Sequence, residues 1–489
     1  MLLSSVINKG GSFIAQIVLG WLLFEEDFGL YAIAISIASL VQIFRDGGTR
    51  KIVVQRGQRH FARLCPSVFW MATTFNVAAA ALLALGAYPA SLLYEEPRLF
   101  WMIMILSLSC LVGTPDTMYR AWLSVQLRFR ELARINLIVG LVRSGSMILL
   151  AVLGAEAQSF VWPAVIVSAS GWVMGRVLCG PLPLSGRVRL KLGRVLLHSS
   201  VWLILGSGAM IMTRQGPYMV LGLFHDPAVI GIYFFAFQLL MQLNQLLAAN
   251  IQSVLLPALS SVQRNSQRHA DAVIRSSQAM MFLSVGFAMG LSVGLGDLIR
   301  FVWGDKWVAA IPAVLWMGLF FPTRMLLNVF EPAMQSRGKY KDWALISVLQ
   351  SSVVAIATLL VSVFTNTPGE FAMGIGLALF ISMLLGWFIG LPRIGVSSMT
   401  VSSRCLPIYF LGVIAYGVVL LARKQLGLET MHSRPSLALH GFGSAIAFAL
   451  LFVGLVRVLV PSVLHQTIDM VPHRFARPAR VVFRLRIRS

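Results

Sequence analysis

Apolar stretches of about twenty residues recur along this chain from end to end, and no long polar segment separates them. A stretch of about 20 apolar residues is what one helix needs to cross ~30 Å of hydrocarbon. A soluble protein of 489 residues would divide into several domains joined by polar linkers. Here 57% of residues are hydrophobic and only 12% charged, against about 25% charged in a soluble domain. The bilayer therefore acts as the solvent, and the fold class is an all-α integral membrane protein. Fourteen spans are expected: 2–24, 28–45, 65–89, 99–119, 135–154, 158–178, 197–223, 228–256, 278–303, 308–331, 342–364, 370–391, 405–422 and 437–460. No cleavable signal is expected, because the first span starts without a basic leader.

The formal charge of +22 raises the question of nucleic acid, but its placement answers otherwise. One set of alternate loops carries Arg45, Arg50, Lys51, Arg56, Arg59 and Arg63, then Arg120, Arg128, Arg130 and Arg134, then Arg176, Arg187, Arg189, Lys191 and Arg194. The same side continues with Arg264, Arg268, Arg275, Arg337, Lys339, Lys341, Arg393 and Arg404, and ends in a tail bearing Arg474 to Arg488. The other set carries Glu25, Glu26, Asp27, Glu95, Glu96, Glu156, Asp226 and Glu370, with few basic residues, Arg423 and Lys424 among them. The Lys/Arg bias sets orientation, so both termini are expected on the cytoplasmic side of the membrane. The basic loops and tail then face anionic lipid head groups, and no nucleic-acid partner is expected.

The chain also contains a duplication. Leu19-Gly20 followed by Gly29-Leu30-Tyr31 recurs as Leu221-Gly222 followed by Gly231-Ile232-Tyr233, at an offset of 202 residues. Gln126-x-Arg128-x-Arg130 is echoed by Gln335-x-Arg337-x-Lys339. The plan expected is a six-helix lobe over 1–180, a linker over 181–196, a second six-helix lobe over 197–395, two additional helices over 396–460 and a basic tail over 461–489. Parallel repeats of this kind are a common transporter plan, with the substrate site between them.

Several segments together resemble a known family. Asp27-Phe28-Gly29-Leu30-Tyr31-Ala32, Gln126-Leu127-Arg128-Phe129-Arg130, Ile230-Gly231-Ile232-Tyr233, the run Val254 to Leu259, and the Gly304-Asp305-Lys306-Trp307 turn carry the likeness. The chain resembles the Wzx-like polysaccharide flippases of the multidrug/oligosaccharidyl-lipid/polysaccharide exporter superfamily. The resemblance implies two pseudo-symmetric lobes around a central cavity, alternating access, and translocation of an undecaprenyl-diphosphate-linked oligosaccharide from the cytoplasmic to the periplasmic leaflet. Polysaccharide polymerase and export machinery would be the implied partners. Family members generally carry a short basic segment before the first span, whereas here Met1 abuts it.

Ionisable residues at membrane depth are costly and usually face a cavity or a partner. Lys9, Arg143, Arg214 and Arg324 fall within spans, and an Arg fork matches phosphate and carboxylate. Lys9 and Arg214 occupy comparable faces of repeat-related helices and are expected to meet one water-filled cavity. Gln16, Tyr218, Gln238, Gln242, Asn244 and Gln245 could contact sugar. Snorkelling is the alternative for Arg143 and Arg324, and interhelical hydrogen bonding for the amides. Asp46, Asp116 and Glu331 are the carboxylates open to ion coupling. The rival transporters, a lipid II flippase and a drug/cation antiporter, stay open, although a cation exporter would place carboxylates in its cavity. A membrane enzyme such as a polysaccharide polymerase is disfavoured by short outer loops without a carboxylate pair. Scattered His and the lone Cys65, Cys110, Cys179 and Cys405 suggest neither metal nor cofactor.

Overall fold

The computed structural model describes residues 2–46, 58–182, 184, 190–427 and 434–461. Among them every regular element is helical, and fourteen rods follow one another in the chain. These are α1 (Leu2–Leu22), α2 (Glu25–Asp46), α3 (Gln58–Leu93), α4 (Pro97–Val125), α5 (Phe129–Val152), α6 (Gln158–Cys179) and α7 (Leu190–Leu221). Then come α8 (Pro227–Ser261), α9 (Ser266–Trp303), α10 (Ile311–Ser336), α11 (Tyr340–Phe364), α12 (Pro368–Leu385), α13 (Ser398–Gln425) and α14 (Arg434–Leu459). Each expected span falls on one rod. Ten helical segments among the described residues are long and apolar enough to cross a membrane. The chain is a multi-pass membrane protein. Arg50, Lys51, Arg56, Arg187, Arg189 and the tail from 462 onward, with Arg474 to Arg488, lie outside the described residues.

The rods run longer than the hydrophobic windows because polar first and last turns continue the helix. The turn between α1 and α2 is closed by Asp27, whose Oδ2 accepts from the backbone N–H of Phe24 at 3.0 Å. An acid at the third helical position reaching back to the N-cap is half of a capping box. Arg423 belongs to α13 rather than to a loop, and it is buried.

Contacts divide the chain into two compact units: Met1–Gln242 with Ala355–Thr367, and Leu243–Val354 with Pro368–Ser489. In the first unit, the duplicated motifs pack on each other. A Cβ on Gly29 would lie 1.8 Å from the Pro227 carbonyl oxygen, and one on Gly231 would lie 1.8 Å from the Glu25 carbonyl oxygen. Positions 25 and 227, like 29 and 231, are related by the 202-residue offset, so the contact is reciprocal about a local two-fold. Only glycine allows two helix backbones this close. Rings close around the seam: Phe28 meets Phe235 at 5.7 Å and Phe160 at 5.0 Å, and Tyr31 meets Phe234 at 5.7 Å.

In the second unit, α9 contains a π-helical turn over Val285–Met289, a rare single-turn bulge of the kind that bends a helix. Gly294 of α9 packs on Gly441 of α14, where a Cβ would lie 2.0 Å from the Gly441 carbonyl oxygen. The two helices expected to fall outside the repeat are therefore packed on this unit. Tyr409 and Tyr416 of α13 donate to the Leu319 and Leu315 carbonyls of α10 at 3.2 and 3.0 Å. Arg423 forms a buried ion pair with Asp297 of α9, with separations of 2.7 and 2.8 Å, and donates to Ser444 of α14 at 2.7 Å. Asp297 lies inside an expected span and escaped notice as a deep charge.

Candidate functional site

Three polar constellations stand inside the first unit. The first joins α1 and α8. Gln16 is 5% exposed, beside buried Ala15 and Leu19. Gln242 Nε2 donates to Gln16 Oε1 at 3.4 Å. Among the described residues, Gln16 Nε2 and Gln242 Oε1 have no hydrogen-bond partner. Two amides joined by one bond always leave one donor group and one acceptor over, and a single hydroxyl complements both. Both glutamines were expected from sequence to contact sugar, and the fold brings them together.

The second constellation surrounds Arg143. A cavity of about 240 Å³ is lined by Tyr31 of α2, Ser109 of α4, Arg143 of α5, and Phe160, Pro163 and Ser168 of α6, with aliphatic neighbours. Arg143 is exposed, yet it does not lie on the apolar exposed stripe of its helix. Leu141, Leu149 and Val152 form that stripe at 50%, 60% and 63% exposure. Two residues along an α-helix is a rotation of about 200°, which places Arg143 opposite Leu141. Buried Leu132 and Val139, eleven and four residues earlier, share its face. The Arg143 and Tyr31 side chains line this cavity together.

The third constellation is a chain of polar contacts through α1, α4 and α5. Arg120 Nε lies 2.9 Å from both oxygens of Asp116. The Arg120 guanidinium also donates to Asn136 Oδ1, and Asn8 Nδ2 donates to the Asn136 carbonyl at 2.8 Å. Asn8 fits because Gly140 faces it, where a Cβ would lie 2.2 Å from Asn8 Oδ1. Gly171 makes the same room for Asp116, at 2.3 Å. Sequence reasoning assigned Arg120 to a basic loop and left out Asn8 and Asn136. The signal was present as an acid and an arginine four residues apart, which share a helix face.

The remaining sequence candidates are spread more widely. Lys9, adjacent to Asn8, is half-buried, and Arg214 of α7 is exposed. Arg214 is nine residues, or about 180°, from exposed Leu205. Tyr218 is 1% exposed and enclosed by Tyr233, Phe234 and Phe237 at 5.7, 5.3 and 6.1 Å. Gln238 is half-buried. In the second unit, Arg324 and Glu331 of α10 are half-buried, and Gln335 donates to Glu331 at 3.0 Å. The side chains of Asp46, Asn244 and Gln245 lie outside the described residues. His225, in the turn before α8, is held below the ordinary imidazole value chiefly by burial, partly offset by the Ser362 backbone and Asp226. Among the described residues, no three His, Cys, Asp or Glu side chains gather to hold a metal ion.

Known proteins match over the same ground. The profile of a family described as "Polysaccharide biosynthesis protein" matches residues 18–312. The succinoglycan biosynthesis transport protein ExoT of Rhizobium meliloti (strain 1021) is 25% identical over 371 residues, covering 71% of this chain and 72% of that protein. The lipopolysaccharide biosynthesis protein WzxC of Escherichia coli (strain K12) is 20% identical over 323 residues, 64% of this chain and 63% of that one. Among solved structures, the lipid II flippase MurJ in an inward closed conformation superposes with a TM-score of 0.70 at 13% identity, covering 94% of this chain and 99% of that one. At that identity the likeness speaks to the fold.

Proposed function

The chain belongs to the polysaccharide biosynthesis protein family, and on that premise we propose that it is a Wzx-like flippase rather than an enzyme. It moves an undecaprenyl-diphosphate-linked oligosaccharide, the repeat unit of an exopolysaccharide, capsule or O-antigen, from the cytoplasmic to the periplasmic leaflet of a bacterial inner membrane. The observation that carries this reading is the Gln16–Gln242 pair, a buried donor and acceptor left over on two apolar helices. Unused hydrogen-bonding capacity at membrane depth costs free energy, and a passing sugar hydroxyl supplies what is missing. Lys9, Arg143, Arg214 and Arg324 give the anionic substrate its counter-charges, and Gln238 is a further amide for sugar contact. Two six-helix lobes, 1–180 and 197–395, alternate in exposing the site to either face. The names of ExoT and WzxC, a transport protein and a polysaccharide-pathway protein, support the assignment.

In a strain lacking the gene, lipid-linked oligosaccharide accumulates and polymer export stops, and the wild-type gene restores export. Gln16→Leu with Gln242→Leu, inserted at normal levels, lowers export roughly thirtyfold, since two hydrogen bonds of about 1 kcal/mol each are lost. Normal export in the deletion strain sinks the reading. Orientation is tested separately by impermeant thiol labelling. Cysteines from Glu26→Cys and Asp226→Cys react from outside the cell, and those from Arg59→Cys and Arg480→Cys do not. The reverse pattern overturns the placement of both termini in the cytoplasm.

A further inference from the structure

The geometry points to a subsite within the first helical unit, in the Arg143 cavity, that takes one carboxylate-bearing sugar ring of the transported glycan. This rests on the flippase reading and adds a substrate class to it. Size comes first. A cavity of about 240 Å³ is smaller than the roughly 300–1,000 Å³ of drug-sized pockets. It holds a single ring, not an oligosaccharide or a prenyl chain.

Charge comes next. Among the described residues lining the cavity, Arg143 is the one ionised side chain. One guanidinium matches one carboxylate in a planar fork. A diphosphate entering the same space would leave a further charge facing Ile35, Leu106 and Phe160, and an uncompensated charge in apolar surroundings is heavily penalised. The site is therefore suited to a singly charged group and unsuited to the lipid diphosphate.

The remaining surface fits a sugar ring. Tyr31 and Phe160 stack at 4.6 Å with planes 13° apart, giving an apolar aromatic wall for ring C–H groups. Ser109 and Ser168 each donate to a carbonyl of their own helix, Leu106 at 2.6 Å and Ala164 at 2.8 Å. Their protons are committed and their oxygens are left as acceptors. Sugar hydroxyls, which can donate, meet acceptors there. Tyr31 lines the same cavity as Arg143 and brings a hydroxyl to it.

The test uses detergent-purified full-length protein and saturation-transfer NMR with D-glucuronate, D-glucose and inorganic pyrophosphate as probes. Wild type binds glucuronate, and glucose at the same concentration gives no comparable signal. Arg143→Gln weakens glucuronate at least tenfold. Ala164→Phe, which fills the cavity and leaves Arg143 in place, abolishes binding and guards against a folding defect in the first variant. Unchanged glucuronate binding in both variants overturns the subsite, as does displacement of glucuronate by equimolar pyrophosphate. Complementation separates the two claims. Export restored by the wild-type gene with unchanged binding in the variants sinks the subsite alone. Normal export in the deletion strain sinks the flippase reading.

Discussion

Gly29→Ala is expected to destabilise the protein by about 3 kcal/mol, the upper end of overpacking costs. Its new methyl would lie 1.8 Å from a backbone oxygen of Pro227, and that oxygen cannot swing away as a side-chain tip could. The first turns of α2 and α8 must separate, and the rings of Phe28, Phe235, Tyr31 and Phe234 lose contact with them. Gly231→Ala has the same effect for the same reason, against the Glu25 carbonyl. The double variant is the sharper test. Once the first methyl has pushed the helices apart, the second enters space already opened, so the two costs fall well short of adding. Gly86→Ala, with nothing within 4 Å of the added carbon, is the control and does not lower stability. Thermal unfolding in detergent, followed by size-exclusion, measures all four. Full additivity of the two alanines would show that the glycines do not share a seam.

The seam was half-legible in the sequence. The offset repeat identified Gly29 and Gly231 as equivalent, because duplicated helices place equivalent residues at equivalent heights. It could not say that the two copies touch. Contact depends on the approach of two backbones across 202 residues, and no local pattern encodes that distance. The fourteen rods were legible for a stronger reason, since hydrocarbon thickness imposes a length on every crossing. Their ends were less so. Polar turns such as Gln58–Arg63 and Ser266–Arg275 continue as helix beyond the apolar window, and hydropathy has no signal there.

The candidate site divides along the same line. Gln16 and Gln242 were named because amides are rare and costly in apolar helices, and that cost is a property of residue type. Arg143 stood out likewise, but its company of Tyr31, Ser109 and Phe160 comes from three other helices. Arg120 and Asn8 were missed for opposite reasons. Arg120 sits among loop cations that the orientation rule absorbs, and Asn8 is a neutral neighbour of the more conspicuous Lys9. A glycine on a facing helix makes the room for Asn8, at Gly140, and for the Asp116 partner of Arg120, at Gly171, and a glycine in a membrane helix is too common to announce its purpose.

Asp297→Ala is expected to cost about 3–5 kcal/mol, the loss seen when one partner of a buried ion pair is removed. The side chains of Arg423 and Asp297 are 9% and 5% exposed, so water cannot take over the stranded charge. The guanidinium spans three helices, holding Asp297 of α9 and Ser444 of α14 from its place on α13. Its loss of a counter-ion is therefore felt at the packing of Gly294 on Gly441. Asp297→Ala with Arg423→Leu removes the charge as well as its partner. Two well-solvated ions no longer need to be desolvated, and an apolar replacement for a buried pair is often neutral. The double variant should recover most of the lost stability, giving a coupling energy of several kcal/mol in the cycle. The readout is again thermal unfolding in detergent, with Lys424→Leu, an exposed basic residue of α13 outside the pair, as the comparison. A double variant no more stable than Asp297→Ala would mean that the bridge is not the tie between α9 and the two final helices. The cost would then lie in the shape of the Asp297 side chain rather than in its charge.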